Sequence, residues 1–294
     1  MRSRMNHTVS PAQVYALAGG ILQSCLKLTD HGPKCTARNL LLILFFAAAR
    51  AGSIFDACRR LCDSPSDQAV RNALGAMLPK RMNTMERRLN QALTAKLPKG
   101  LLGRSYPMAI DASEICYYGK PQRDPRELRR GKRKAGTSRF HCYATHEMKS
   151  PKQKATVSIA VVQRRGREGE RRQPMVFCFW GFHPGSPRGA AQTYRSRYGI
   201  ETSYRQMNQG RIRTCMRDPI LRLLLVGIAL VLRNLWVWLH RTMLGHPRGS
   251  SIELRLELLR LRTMLLMLQR CAEECLGCVE TGASSASLQN PACT

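Results

Sequence analysis

The sequence predicts an α/β fold whose N-terminal part is all-helical, and three observations carry that expectation. Apolar residues recur at helical spacing from Ser10 to Leu97, the period changes to that of short strands at Ser105, and helical spacing returns at Thr193. Helices, then strands, then helices is the order of an α/β core behind a helical unit. With 294 residues, 44% of them apolar, the chain is long enough to bury a sizeable core.

Each element follows from local signals. Ser10-Pro11 is a cap followed by a proline suited to a first helical turn, and the helix it opens runs to about Leu26. Thr36 can cap an apolar helix that ends near Gly52. Two short helices, Ser53 to Cys62 and Asp67 to Leu78, flank the polar break Asp63-Ser64-Pro65-Ser66. That pair resembles a helix-turn-helix, with simple packing as the competing use. An amphipathic helix covers Thr84 to Leu97. Tyr106 to Ile110 is an extended run that closes on Asp111, and Arg139 to Thr145, Ala155 to Val162 and Met175 to Trp180 are strand-like. Basic loops are expected at Arg126 to Lys134 and at Arg164 to Arg172. One helical stretch then continues to about Met243, another runs from Ile252 to about Cys275, and the Ser/Ala-rich end from Thr281 reads as a disordered tail. This divides the chain into a helical unit at 1–103, an α/β core at 104–245, and a C-terminal helix with its tail at 246–294.

Charge narrows the function. Forty-eight Lys and Arg against 19 Asp and Glu give a net charge of +29, a field that favours polyanions and, above all, nucleic acid. The twelve cysteines are scattered, which suits reduced thiols in a cytoplasmic setting better than a disulfide framework. Cys271, Cys275 and Cys278 approach metal spacing but lack a fourth ligand outside the tail. The apolar runs Leu40 to Ala49 and Leu223 to Leu232, each ten residues long, read as buried helices too short for a bilayer, so no membrane partner is expected. No signal peptide is expected either.

Two places carry chemistry. Asp111, in the string AIDASEICYYGK, ends an apolar run where a carboxylate can ligate a hard cation, although turn formation is the commoner use of such an aspartate. In YRSRYGIETSYRQMN, residues 194–208, helical spacing brings Tyr194, Arg197, Glu201, Arg205 and Asn208 to one face. One acid among guanidinium groups is either a surface salt-bridge ladder or a metal ligand set beside a bound phosphate.

The second string resembles the Y-x2-R-x3-E-x6-K signature of bacterial DDE transposases of the insertion-sequence-four family, with Tyr194, Arg197 and Glu201 in register. Asn208 replaces the signature lysine, and Arg205 or Arg211 could supply its charge. The Asp111 region and the apolar string after Arg211 are also similar to that family, so the likeness spans most of residues 35–245. The resemblance implies an RNase H-like catalytic core, with Asp111 and Glu201 as metal ligands for Mg²⁺ or Mn²⁺. It also implies double-stranded DNA as partner, contacted by Tyr194, Arg197, Arg205, Asn208 and Arg211. A bacterial cytoplasm, at the nucleoid, is the expected location, and homodimerisation stays open.

The family's second aspartate is missing. No aspartate occurs from Pro125 to Arg217, and only 90 positions separate Asp111 from Glu201. An internal deletion around Glu147 to Pro151 accounts for both features and leaves the core incomplete. Asp124 lies in the wrong place, and Glu147 just past a strand does not reproduce the lost geometry. The expectation is therefore a transposase by family, with an inactive DNA-binding remnant as the alternative.

Overall fold

α1 (Pro11–Leu26) begins on the predicted cap: Ser10 Oγ accepts from the Gln13 amide at 3.2 Å, and Gln13 Oε1 accepts from the Ser10 amide at 3.0 Å. The computed structural model describes residues 8–97, 108–121, 125–149, 156–164, 198–244 and 254–279. α2 (Ala37–Ala49) follows its Thr36 cap, and every residue from Leu40 to Ala49 is buried, as in a helix that is apolar all round. α3 (Ile54–Arg60) and α4 (Asp67–Met77) are capped by Ser53 and Ser66 and separated by the predicted polar break. α5 (Met82–Thr94) buries a stripe of Met82, Met85, Leu89 and Leu93.

Four antiparallel strands follow: β1 (Met108–Cys116), β2 (Arg129–Lys134), β3 (Thr137–Lys149) and β4 (Thr156–Arg164). β3 pairs with all the others, with β1 along one edge and with β2 and β4 in succession along the other. The coarse expectation of mixed helix and sheet therefore holds. Two details differ. β1 does not stop at Asp111; its two-residue alternation continues, and the long β3 pairs with it from Asp111↔Thr145 to Cys116↔Phe140. The basic stretch expected as a loop is instead a 3-10 turn, Pro125–Glu127, followed by β2. Its exposed lysines and arginines suit an outer strand, and Ala135 and Gly136, with φ of 45° and 83°, close the tight hairpin to β3.

The helical stretch expected from Thr193 is interrupted within the described residues. α6 (Tyr198–Gln209) ends at Gly210, and α7 (Pro219–Leu239) starts afresh where Asp218 caps it and Pro219 occupies its first turn. α7 runs straight through Arg222 and Arg233, so it is longer than the apolar run between them and long enough to cross a bilayer. Here its whole apolar window is buried against the rest of the fold, as in a core helix. Both arginines keep protein partners: Arg222 donates to the Met216 and Thr214 carbonyls, and Arg233 Nε donates to Gln206 Oε1 at 3.1 Å. α8 (Leu261–Leu276) begins later than the expected Ile252. Trp236 Nε1 and His240 Nε2 both donate to the Leu259 carbonyl, at 3.0 and 2.8 Å, which holds that residue outside a helical ladder.

α5 and α7 lie against the sheet at β4, while α8 packs on α1 and α2, and α1 also meets α5 and α7. Buried residues from Val14 to Leu276 form one apolar cluster that joins α1 to α5 with α7 and α8. The end of α8 is tied to the end of α3: the Asp63 amide donates to Leu276 O at 2.8 Å and the Val279 amide to Arg60 O at 2.8 Å.

Candidate functional site

α6 has two faces. Ser203 and Met207 are buried with Tyr204 half-buried between them, while Glu201, Arg205 and Asn208 are exposed on the opposite side. This separation follows from spacing alone, since residues 201, 205 and 208 recur at intervals of four and three. Glu201, Arg205 and Asn208 thus share one solvent-facing strip, as the sequence suggested.

The inner face of α6 meets β1 at Asp111. The Tyr204 hydroxyl donates to the Asp111 carbonyl at 2.9 Å and lies 2.6 Å from Thr145 Oγ1. With its one hydrogen committed to Asp111, Tyr204 must accept from Thr145. Directly opposed residues of an antiparallel pair project to the same side of the sheet. Asp111 opposes Thr145, so its side chain leaves the sheet on the side that α6 covers. Glu201 lies one turn before Tyr204 on that helix. Strand and helix therefore sit side by side, joined through Tyr204 and Thr145. Asp111 is half-exposed, and its Oδ1 accepts from the Ala112 amide at 2.8 Å.

Arg211 takes a different position from the outer strip. It is half-buried, and burial and the neighbouring Arg213 depress its pKa while the fully buried Tyr143 opposes the shift. It is thus set back from the exposed strip of Glu201, Arg205 and Asn208. Tyr194 and Arg197, the strand-like Met175 to Trp180 and Asp124 lie outside the described residues. Glu147 falls within β3, paired with Ala109 and Ser158.

Sequence reasoning missed Tyr204 and Thr145, although Tyr204 stands three residues after Glu201, on an adjoining face. It also missed a buried stack. The Arg222 guanidinium lies 4.6 Å from the Tyr117 ring, whose edge meets the His141 ring at 4.8 Å. Both His141 nitrogens are buried without a hydrogen-bond partner, and burial, reinforced by Arg222, pushes its pKa down to about 4. No motif announces that arrangement, because its members come from three separate elements.

Among the described residues, no group of three or more His, Cys, Asp or Glu side chains is placed to hold a metal ion. Asp111 and Glu201 would set a charge of about −2 against about +4 for two divalent cations. The described donors therefore do not fit a metal pair. All ten described cysteines, including Cys271, Cys275 and Cys278, are free thiols. The sequence matches no family model, no curated protein and no solved structure.

Proposed function

We propose that this chain is a DDE-type transposase remnant, an RNase H-like DNA-binding protein that holds duplex DNA without cutting it. The observation that carries the reading is the seating of α6 on β1 at Asp111 through Tyr204. It supports the reading because a strand-transfer core needs its strand-borne and helix-borne acids on adjacent elements, and α6, which bears Glu201, rests on the strand that bears Asp111. The net charge of +29 and the exposed Arg205 and Asn208 beside Glu201 support a phosphate backbone as the partner. The absence of any aspartate from Pro125 to Arg217 favours the inactive form.

The second reading, an active transposase using Mg²⁺ or Mn²⁺ at Asp111 and Glu201, is favoured by the projection of Asp111 on the α6 side of the sheet. One experiment separates the two. Purified protein is incubated with supercoiled plasmid in either metal, and nicks and strand-transfer products are scored. The expected outcome is binding without cleavage, with affinity falling by orders of magnitude between about 50 and 200 mM salt. Cleavage that disappears in Asp111→Ala and in Glu201→Ala would instead establish the active enzyme. A binding curve flat across that salt range would remove the electrostatic basis of both readings.

A further inference from the structure

A cleft of about 560 Å³ opens to solvent between α4 and the linker that leads into α7, lined by residues from two distant parts of the chain. Gln68, Arg71 and Asn72 come from α4, Lys80 from the turn after it, and Arg217 and Asp218 from the linker. We infer that this cleft seats the sugar-phosphate backbone of duplex DNA, apart from the strip on α6. The inference rests on the proposed DNA-binding function and assigns it a second contact surface.

Charge and donor inventory carry the argument. Three cations line the cleft with one acid, and a second acid, Asp67, pairs with Arg71 from outside the lining, so cations still outnumber acids. Asp218 is itself engaged, its Oδ1 accepting from the Ile220 and Leu221 amides at 2.8 and 3.5 Å to cap α7. The same bonds occupy the first amides of α7, so the attraction for an anion comes from the side chains. Arg71 is held from one side by Asp67 at 2.6 Å and by Gln68 Oε1 at 2.8 Å. A guanidinium has five donors in a planar fork, so a held arginine still presents donors to a phosphate. Gln68 Nε2 donates to Asn72 Oδ1 at 2.8 Å, which engages the oxygen of the exposed Asn72 and leaves its amide nitrogen as the donor.

The linker wall is fixed by the protein's own hydrogen bonds. The Arg213 amide donates to Gly52 O at 2.8 Å, docking the linker on the turn between α2 and α3. The buried Arg222 grips the linker again through the Met216 carbonyl. The α4 wall is low, because a Cβ added at Gly75 would meet nothing within 4 Å. A preformed cationic cleft with a low wall suits a polymer that passes across the surface. The ordering cost of binding is correspondingly small.

The test is fluorescence anisotropy of a short labelled duplex over a salt series. It compares the full chain with Lys80→Gln/Arg217→Gln, with Gly75→Phe, and with Arg205→Ala as a variant of the α6 strip. Circular dichroism confirms that each variant is folded. Losing two phosphate contacts should lower the slope of log affinity against log salt by roughly two. Gly75→Phe should weaken binding several-fold with every charge retained, which a merely diffuse electrostatic field would not produce. If the unaltered chain binds duplex and both cleft variants bind it equally well with the same slope, the cleft is not a DNA seat, while the proposed function survives. If the unaltered chain fails to bind duplex at low salt, both ideas fall together. Inorganic phosphate or duplex RNA that binds through the cleft residues where DNA does not would overturn the choice of partner.

Discussion

Tyr204 connects three elements through one oxygen, donating to the β1 backbone and accepting from a buried threonine on β3. Tyr204→Phe removes that oxygen and leaves the Thr145 hydroxyl unsatisfied in a buried place. The expected loss is roughly 1–3 kcal/mol of stability, read from urea denaturation midpoints. A change below the error of such curves would mean that the helix is held on the sheet by other contacts. Glu201→Gln, at an exposed position, should by contrast shift stability by no more than about 0.5 kcal/mol. His141 gives a pH signature of opposite character. Its folded pKa of about 4 lies below the ordinary 6.5, so the unfolded chain binds a proton that the folded chain refuses. Stability from this group is complete above pH 6.5, falls as pH drops toward 4, and is flat below, with a slope of at most about 1.4 kcal/mol per pH unit. His141→Leu should flatten that part of the profile. Equal slopes in both proteins across the window would show that the imidazole is solvated after all.

Among the elements, α5 and α7 meet closely at Gly227, where an added Cβ would lie 2.6 Å from the fully buried Leu89 side chain. Alanine is the better helix former by about 1 kcal/mol, yet the overlap should win and destabilise Gly227→Ala by roughly 1–3 kcal/mol. Pairing it with Leu89→Ala gives a decisive control. The double variant should be more stable than the sum of the two single losses predicts, and strict additivity would deny the contact. Capped elements were the legible part of the fold: α1, α2, α3 and α4 begin at Ser10, Thr36, Ser53 and Ser66, because a side-chain oxygen accepting an end amide is a local event written in adjacent residues. What failed was decided elsewhere in the chain. β1 outruns Asp111 because β3 is there to pair with it, and α8 starts late because Trp236 and His240 claim the Leu259 carbonyl. The site was legible to the same degree. The strip of Glu201, Arg205 and Asn208 follows from helical period, whereas its docking partner on the sheet depends on a tyrosine that no spacing rule singles out.

At the scale of the whole molecule, residues from α1 to α8 share one buried cluster, so damage at one end should be felt at the other. Leu268 is fully buried on α8, and Leu268→Ala should cost roughly 2–5 kcal/mol. The sharper expectation concerns where that loss appears. Amide hydrogens of α2, which packs on α8, should exchange faster in the variant by about the full measure of the lost stability. Unchanged α2 exchange would reveal that the helical unit at the N-terminus holds its structure alone.

The packing of α8 on α2 also has a consequence for how the protein is made. α2 is apolar all round, and one of its covering helices is α8, which leaves the ribosome only after residues 50–260 have been synthesised. At ordinary translation speeds that delay is on the order of ten to forty seconds. During it, a run of leucines and phenylalanines waits without one of its native covers, so nascent chains are exposed to clumping and to capture by chaperones in proportion to how slowly the intervening sheet is translated.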